Sequence, residues 1–482
     1  MGVLAMSAIL DMDATRLAEK IKQGEISSLE ATESYINHIK QVNVHINAMV
    51  ETRFEQAIEE AKQADEQLKK GEGNAQGKLF GVPISIKEAF HVKGMKTTSG
   101  LQHRVNLVEK EDSEVARRLK NEGAIILGKT NTPTLCFCQE TDNKIYGKTN
   151  NPWKLTHTSG GSSGGEGALI AVGGAAVGIG SDIGGSLRFP GHFNGVITFK
   201  SGDDQVSQKG HYAYVDDPYQ YAMLGMGAVA KSVDDAEFIN SIIAKNEPKA
   251  VDADKFQLII PDKHPSYPLN EETNRLLKEV KQYVSETKGI TEEYPPMFEE
   301  LTTMWQLIMS IDGGESIKAA TSSSEKRFNP FIAYAKEKMT KNSEWHHYLS
   351  WALIGTTLFK PTTKQKQGLI DQLHKAIEEN EKFLESKVLV LPVYHSPAQE
   401  HGKVYKELFS ITKSYRKYLP YVAYANTLGL PALTIPVGTD ADGLPISLQF
   451  ISKVGNENAI FHYGRMIEKA FRGYKRCRYY DN

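Results

Sequence analysis

The stretch from Thr156 to Gly195, THTSGGSSGGEGALIAVGGAAVGIGSDIGGSLRFPGHFNG, constrains the fold of this chain more than any other segment. Glycine at this density costs backbone entropy, and a fold tolerates it where the main chain must approach a ligand or adopt conformations closed to other residues. The stretch therefore predicts a cradle. Three generic motifs compete for it. A phosphate-binding loop fails, because no Lys-Ser or Lys-Thr pair follows the glycines at the required spacing. The dinucleotide fingerprint is mimicked only loosely by GIGSDIGG. A nucleophile elbow, G-x-S-x-G, is spelled around both Ser162 and Ser163. Such a match is cheap in a segment rich in glycine and serine, and it needs an acid and then a histidine downstream. Asp234 and His395 are available, and nothing in their local sequence marks them as catalytic.

The flanking sequence reads as an α/β pattern. Asp13 caps a short helix that stops at Gly24, and Ser27 with Glu30 forms a capping box ahead of LEATESYINHIKQ. From Lys78 onward, short apolar runs (LFGVPISI, AIILGKT, AAVGIG, GVITFK) alternate with helical or glycine-rich segments. Between about Phe256 and Lys387 the chain turns helical, then returns to VLVLPV, ALTIPVG and GLPISLQF. The later runs are expected to complete the sheet begun upstream, which makes the middle an insertion. The division expected is 1–77 N-terminal helices, 78–250 core, 251–387 insertion and 388–482 closing strands and helix. Within the insertion, Glu344 to Phe359 concentrates aromatic and aliphatic residues. A core helix is favoured there over the wall of an acyl-binding channel.

At 482 residues, 40% of them hydrophobic, the chain can bury a large core. A formal net charge of -2 gives no basic field for phosphate neutralisation, so nucleic acid is not an expected partner. Cys136, Cys138 and Cys477 are too few and too scattered for a disulfide framework or a zinc site. They suit a reducing, cytoplasmic setting with no metal, and Cys136 and Cys138 read as small buried residues. The start, MGVLAMSAIL, has no basic leader region, and Met6 stands where a myristoylation motif after Gly2 needs Ser or Thr. No run of about 18 apolar residues predicts a membrane span.

Lys87 ends the apolar run GVPISIKEAF. A strand-end lysine pointing to water is the ordinary reading. If buried instead, its pKa can fall from about 10.4 to roughly 5 or 6 in extreme cases, leaving a neutral amine that accepts a proton.

GVPISIKEAFHVKGMKTTSG, GGSSGGEGALI and SDIGGSLRFP, in that order and spacing, together resemble the amidase signature family. The likeness runs from INAMVE through GAIILGKTN and YGKTNNP to ANTLGLPALTIPVG and GLPISLQF, and is weakest from about Val251 to Lys387. The resemblance implies one large α/β domain, a central twisted mixed sheet covered by helices on both faces. It implies an amidase cleaving a carboxamide through an acyl-enzyme, with Ser186 as nucleophile, Ser162 as the serine after a cis peptide bond, and Lys87 as base. Gly161 suits the position before that bond because it has no side chain to clash. The amides of Ile183, Gly184, Gly185 and Ser186 are the expected oxyanion hole, and Ser163, Asp182 and Arg188 the expected supports. His192 and Phe189 are candidates for the pocket lining. No cofactor is implied, the partner is a small-molecule amide, and a homodimer is left open.

Glu88 and Ser181 stand where Asp and Thr are usual in the family, Ser201 and Gly202 replace a common Pro-Thr, and Ala228 replaces a common Pro. None of these falls on the three catalytic positions, so they are expected to affect local stability more than chemistry. Two alternatives remain. One is the glutaminase subunit of a transfer-RNA-dependent amidotransferase, which usually has a polar residue at the position of Phe189. The other is a catalytically silent small-ligand binding protein. GEGALI and LRFP resemble the fatty-acid-amide-hydrolase branch and related bacterial amidases, which favours a stand-alone amidase, here expected to lack an amino-terminal membrane helix.

Overall fold

The computed structural model describes residues 8–71, 77–324, 326–409 and 415–481. The first seven residues, and with them the reading of Gly2 and Met6, lie outside the described residues. Short apolar runs bounded by Gly and Pro form eleven strands of one sheet. These are β1 (Met49–Thr52), β2 (Pro83–Lys87), β3 (Ile125–Thr130), β4 (Gly178–Asp182), β5 (Ile197–Lys200), β6 (Gly225–Ala230), β7 (Gln257–Ile259), β8 (Ile290–Thr291), β9 (Lys387–Pro392), β10 (Ala432–Thr439) and β11 (Pro445–Ile451). Their order across the sheet is β1-β3-β2-β4-β6-β5-β10-β11-β9-β7-β8. Pairing is parallel among β3, β2 and β4 and again among β9, β7 and β8, and antiparallel elsewhere.

Helices flank this mixed sheet. Those used below are α1 (Ala14–Lys22), α2 (Ser28–Ile46), α3 (Gly164–Ala171), α4 (Arg188–Asn194), α5 (Val233–Ile243), α6 (Phe298–Met309), α7 (His347–Leu358), α8 (Pro420–Thr427) and α9 (Glu457–Ala470). Asp13 accepts from Arg16 N at the start of α1, as the sequence predicts, and Ser27 accepts from Glu30 N at the start of α2, the Ser27 half of the expected capping box. Helices α2 and α3 pack on β2, α5 on β5 and β6, and α9 on β10. These strands are covered on both faces: Ile84, Ile86, Ile126, Val229, Leu433 and Phe450 are all fully buried, and so are polar residues that alternate with them, such as Ser85, Ser447 and Gln449.

The segment 251–387 is not wholly helical. It also supplies β7 and β8, which extend the far edge of the sheet beyond β9. Strands β1 and β6 are not among the apolar runs read from the sequence either, and glycines interrupt GMGAVA. In the structure β6 lies between β4 and β5, and a Cβ on Gly227 would sit 1.8 Å from the Phe199 carbonyl oxygen, so close strand approach demands glycine there.

Candidate active site

Residues two apart on a strand share a face, so Ser85 and Lys87 of β2 both point toward α3. Glu166 of α3 accepts from Ser85 Oγ at 2.6 Å, and Ser162, just ahead of the helix, meets Lys87 Nζ at 2.7 Å. Lys87 is fully buried, and its amine also reaches Ser181 Oγ at 3.0 Å. Burial pushes its pKa below the ordinary lysine value, against the pull of the Cys136 thiol and the carboxylates of Asp182 and Glu166. The structure therefore places Lys87 inside, not at a solvated strand end.

The peptide bond from Gly161 to Ser162 is cis. A Cβ on Gly161 would lie 2.7 Å from the Cys138 carbonyl oxygen, so the neighbouring backbone leaves room only for glycine. Ser163 N donates to the Ser186 carbonyl at 3.1 Å, which ties the two serine turns together. Ser163 Oγ also donates to the Ser181 carbonyl at 3.2 Å. Ser162 and Ser186 open on one cavity, whose lining also includes Ser181, Ile183, Gly184 and His211.

Asp182 and Arg188 form an ion pair with no solvent exposure on either side chain. Arg188 donates from Nε to Asp182 Oδ2 and from a terminal nitrogen to Oδ1, each at 3.0 Å. Its remaining donors go to the Val422 carbonyl, Gln449 Oε1 and Asn426. Asp182 accepts from Gly185 N, Leu187 N and Asn426 as well. Although burial alone would raise the Asp182 pKa, Arg188 and these donors hold it well below the usual carboxylate range. A pair this fully bonded clamps the turn that carries Ser186.

One expected oxyanion-hole donor differs. Gly185 N–H is already committed to Asp182 Oδ1 at 2.8 Å, which leaves Ile183, Gly184 and Ser186 as the amides of this turn open to a substrate oxygen. Trp305 Nε1 donates to the Ile183 carbonyl at 2.8 Å. In a planar trans peptide the next N–H points the opposite way, so Trp305 fixes the direction of the Gly184 amide. Gln139 fixes the next peptide, Gly184 to Gly185, in the same way by donating to the Gly184 carbonyl at 3.0 Å.

Other expectations are corrected by placement. Phe189 and His192 do not line the cavity. Phe189 packs edge-on against Tyr394 at 5.2 Å, and His192 bonds the Ser396 carbonyl at 2.9 Å. Helices turn their residues through every direction, so α7 is both core and wall: Leu349 and Leu353 are fully buried, while Trp351, Ile354 and Gly355 line the cavity. Cys136 and Cys138 also line it rather than serving only as filler. Asp234 pairs with Arg465, and His395 with Glu407, so neither joins the serines in an elbow-type triad. Ser181, expected to bear on local stability more than on chemistry, bonds Lys87 directly.

Sequence reasoning misses Glu166, Trp305, Gln139 and His211. Glu166 leaves a usable signal as the one charge in the apolar helix GGEGALIA. Burial pushes its pKa up to about 8 while Ser85 and Thr130 hydroxyls bond it, so it anchors α3 to β2 and β3. The other three come from segments distant in sequence and carry no local mark. Among the described residues, no group of three or more His, Cys, Asp or Glu is arranged to hold a metal ion. No helix among them is long and apolar enough to cross a membrane.

The family model described as Amidase matches residues 30–461. Fatty-acid amide hydrolase 2-A of Danio rerio is 31% identical, over 97% of this chain and 90% of that protein. A glutamyl-tRNA(Gln) amidotransferase subunit of Lachnospira eligens is 30% identical, over 96% of this chain and 99% of its own. The solved structure of 6-aminohexanoate cyclic dimer hydrolase complexed with substrate shares the fold with a TM-score of 0.80 at 22% identity, covering 97% of this chain and 98% of that one. By the extent of these matches, the chain belongs to the amidase signature family of amide-hydrolysing enzymes.

Proposed function

We propose that this amidase cleaves the C–N bond of a small carboxamide through an acyl-enzyme on Ser186, with Ser162 and Lys87 moving the proton. The observation that carries the reading is a buried lysine amine 2.7 Å from Ser162 Oγ, beside a cavity onto which Ser186 opens. Burial disfavours the ammonium, so neutral Lys87 can take the Ser162 proton as Ser162 takes that of Ser186. The Ser186 oxygen then bonds the carbonyl carbon, and the oxyanion is met by the amides of Ile183, Gly184 and Ser186. Reversal of the relay delivers the proton to the departing amine as the C–N bond breaks. Water hydrolyses the acyl-enzyme by the same path.

The substrate's acyl side is apolar. Phe137, Trp305, Met309, Ile317, Trp351 and Phe359 line the cavity above the serines, and such walls reward hydrocarbon. The resemblance to fatty-acid amide hydrolase 2 supports the same choice over the glutaminase reading. Intact-protein mass spectrometry after fluorophosphonate exposure tests the nucleophile: one adduct on wild type and none on Ser186→Ala is expected. Purified enzyme is then offered fatty amides, aryl amides and glutamine. Ammonia release from glutamine alone would overturn the stand-alone amidase in favour of the amidotransferase reading. Binding without turnover of any amide or ester would favour the silent binding protein.

A further inference from the structure

Lys87 has two hydroxyl neighbours, and the relay uses only one of them. A neutral primary amine carries two N–H donors and a single lone pair, and the relay needs that lone pair on Ser162. If the Ser181 hydroxyl donated to Lys87 Nζ, it would occupy the same lone pair. The direction of the Ser181 hydrogen bond therefore matters to the base. His211 Nε2 lies 2.9 Å from Ser181 Oγ and makes no bond to the relay partner Ser162. An imidazole accepting at Nε2 takes the Ser181 proton as its hydrogen bond, which leaves Ser181 Oγ to accept from Lys87.

The backbone holds His211 in that place. Tyr212 N donates to the Ala89 carbonyl and His91 N to the Gly210 carbonyl, each at 2.8 Å, so the loop is laced to the residues that directly follow β2 and Lys87. The His211 ring packs edge-on against Phe90 with centroids 5.0 Å apart. The groups facing it are Lys87 and His91, and those facing Lys87 are Cys136, Asp182, Glu166 and His211 itself. Burial, then the Lys87 charge, pushes the His211 pKa down to about 3, so the ring stays neutral and able to accept.

We infer that His211 is a positioning residue: by accepting the Ser181 hydroxyl, it makes Ser181 an acceptor for Lys87 and leaves the lysine lone pair directed at Ser162. The inference rests on the reading of Lys87 as the base. It assigns a task to Ser181, and it explains why a histidine is buried beside a lysine that would otherwise repel its charged form.

The test is the rate of fluorophosphonate labelling of Ser186 across pH. His211→Leu is expected to slow the plateau rate about tenfold, the scale of one hydrogen bond. It should also move the acid limb to lower pH, because a freed Ser181 hydroxyl stabilises the neutral amine. His211→Gln, whose amide oxygen can accept the same proton, should stay within about threefold of wild type. Ser181→Ala removes the competing hydroxyl and should stay within about threefold of wild type, and the double variant should behave like Ser181→Ala, faster than His211→Leu alone. A failure of Gln to rescue while unfolding midpoints are unchanged, an unmoved acid limb, or multiplicative slowing in the double variant would each overturn the inference. Lys87→Ala separates the two readings. Full labelling of that variant sinks the base assignment itself, whereas loss of labelling there with wild-type behaviour of His211→Leu sinks only the role of His211.

Discussion

The glycine cradle, Thr156 to Gly195, and the helical segment 251–387 both face the same cavity, and they tolerate change very differently. In the cradle, a Cβ on Gly165 would lie 2.4 Å from Asn131 N, and one on Gly161 would press on the Cys138 carbonyl. In the helical segment, a Cβ on Gly355, which lines the same cavity, meets nothing within 4 Å. The cradle and the strand beside it bury Lys87, Glu166, Asp182 and Arg188 at zero exposure, each held by named partners, whereas the helical walls contribute mainly hydrocarbon. Buried polar and ionisable groups are stable only where their hydrogen bonds are met, while apolar contact accepts many shapes. The first region suits fixed chemistry and the second suits substrate choice.

The sharpest way to break that contrast is to remove the proposed base. Lys87→Ala should slow acylation by roughly two to four orders of magnitude, the usual worth of general base catalysis, in a stopped labelling assay. Wild-type enzyme should lose activity as pH falls. On the proposed relay the neutral amine is the active form, so each pH unit below the depressed Lys87 value should cost about tenfold, and a flat profile would remove the lysine as base. Arg188→Met leaves Asp182 buried without its main counter-charge and should cost about 3–5 kcal/mol in urea unfolding. Gly165→Ala should cost about 1–3 kcal/mol, because backbone at Asn131 must move. The smallest effect is expected in the walls. Gly355→Leu should leave stability within about 1 kcal/mol of wild type and short-amide turnover intact. It should lower kcat/KM for long acyl chains by about tenfold as the cavity narrows. A Gly355→Leu enzyme that lost short-amide activity would erase the distinction between the two regions.

Much of the sheet is legible because apolar runs such as AIILGKT and GLPISLQF have the length and composition of covered strands. Strand β6 escapes because its glycines answer to a neighbour, Phe199, that no local pattern reveals. Helix α7 reads as core because hydrophobic residues look alike whether they face a core or a cavity. Ser181 reads as a matter of local stability because its approach to Lys87, 94 positions away, is a property of strand register.

By itself the sequence determined which groups are present and in what order: Lys87 after an apolar run, two serine-bearing glycine turns, and an acid and a base flanking Ser186. It could do so because glycine density and an isolated lysine are local properties with local costs. Tertiary structure alone decided that Lys87 is buried, that Gly185 N–H is spent on Asp182, that Trp305 aims the Gly184 amide, and that His211 stands behind Ser181. Each of those depends on a hydrogen bond or a loss of solvent between segments that folding brings together. Such bonds exist only once the sheet has aligned its strand ends.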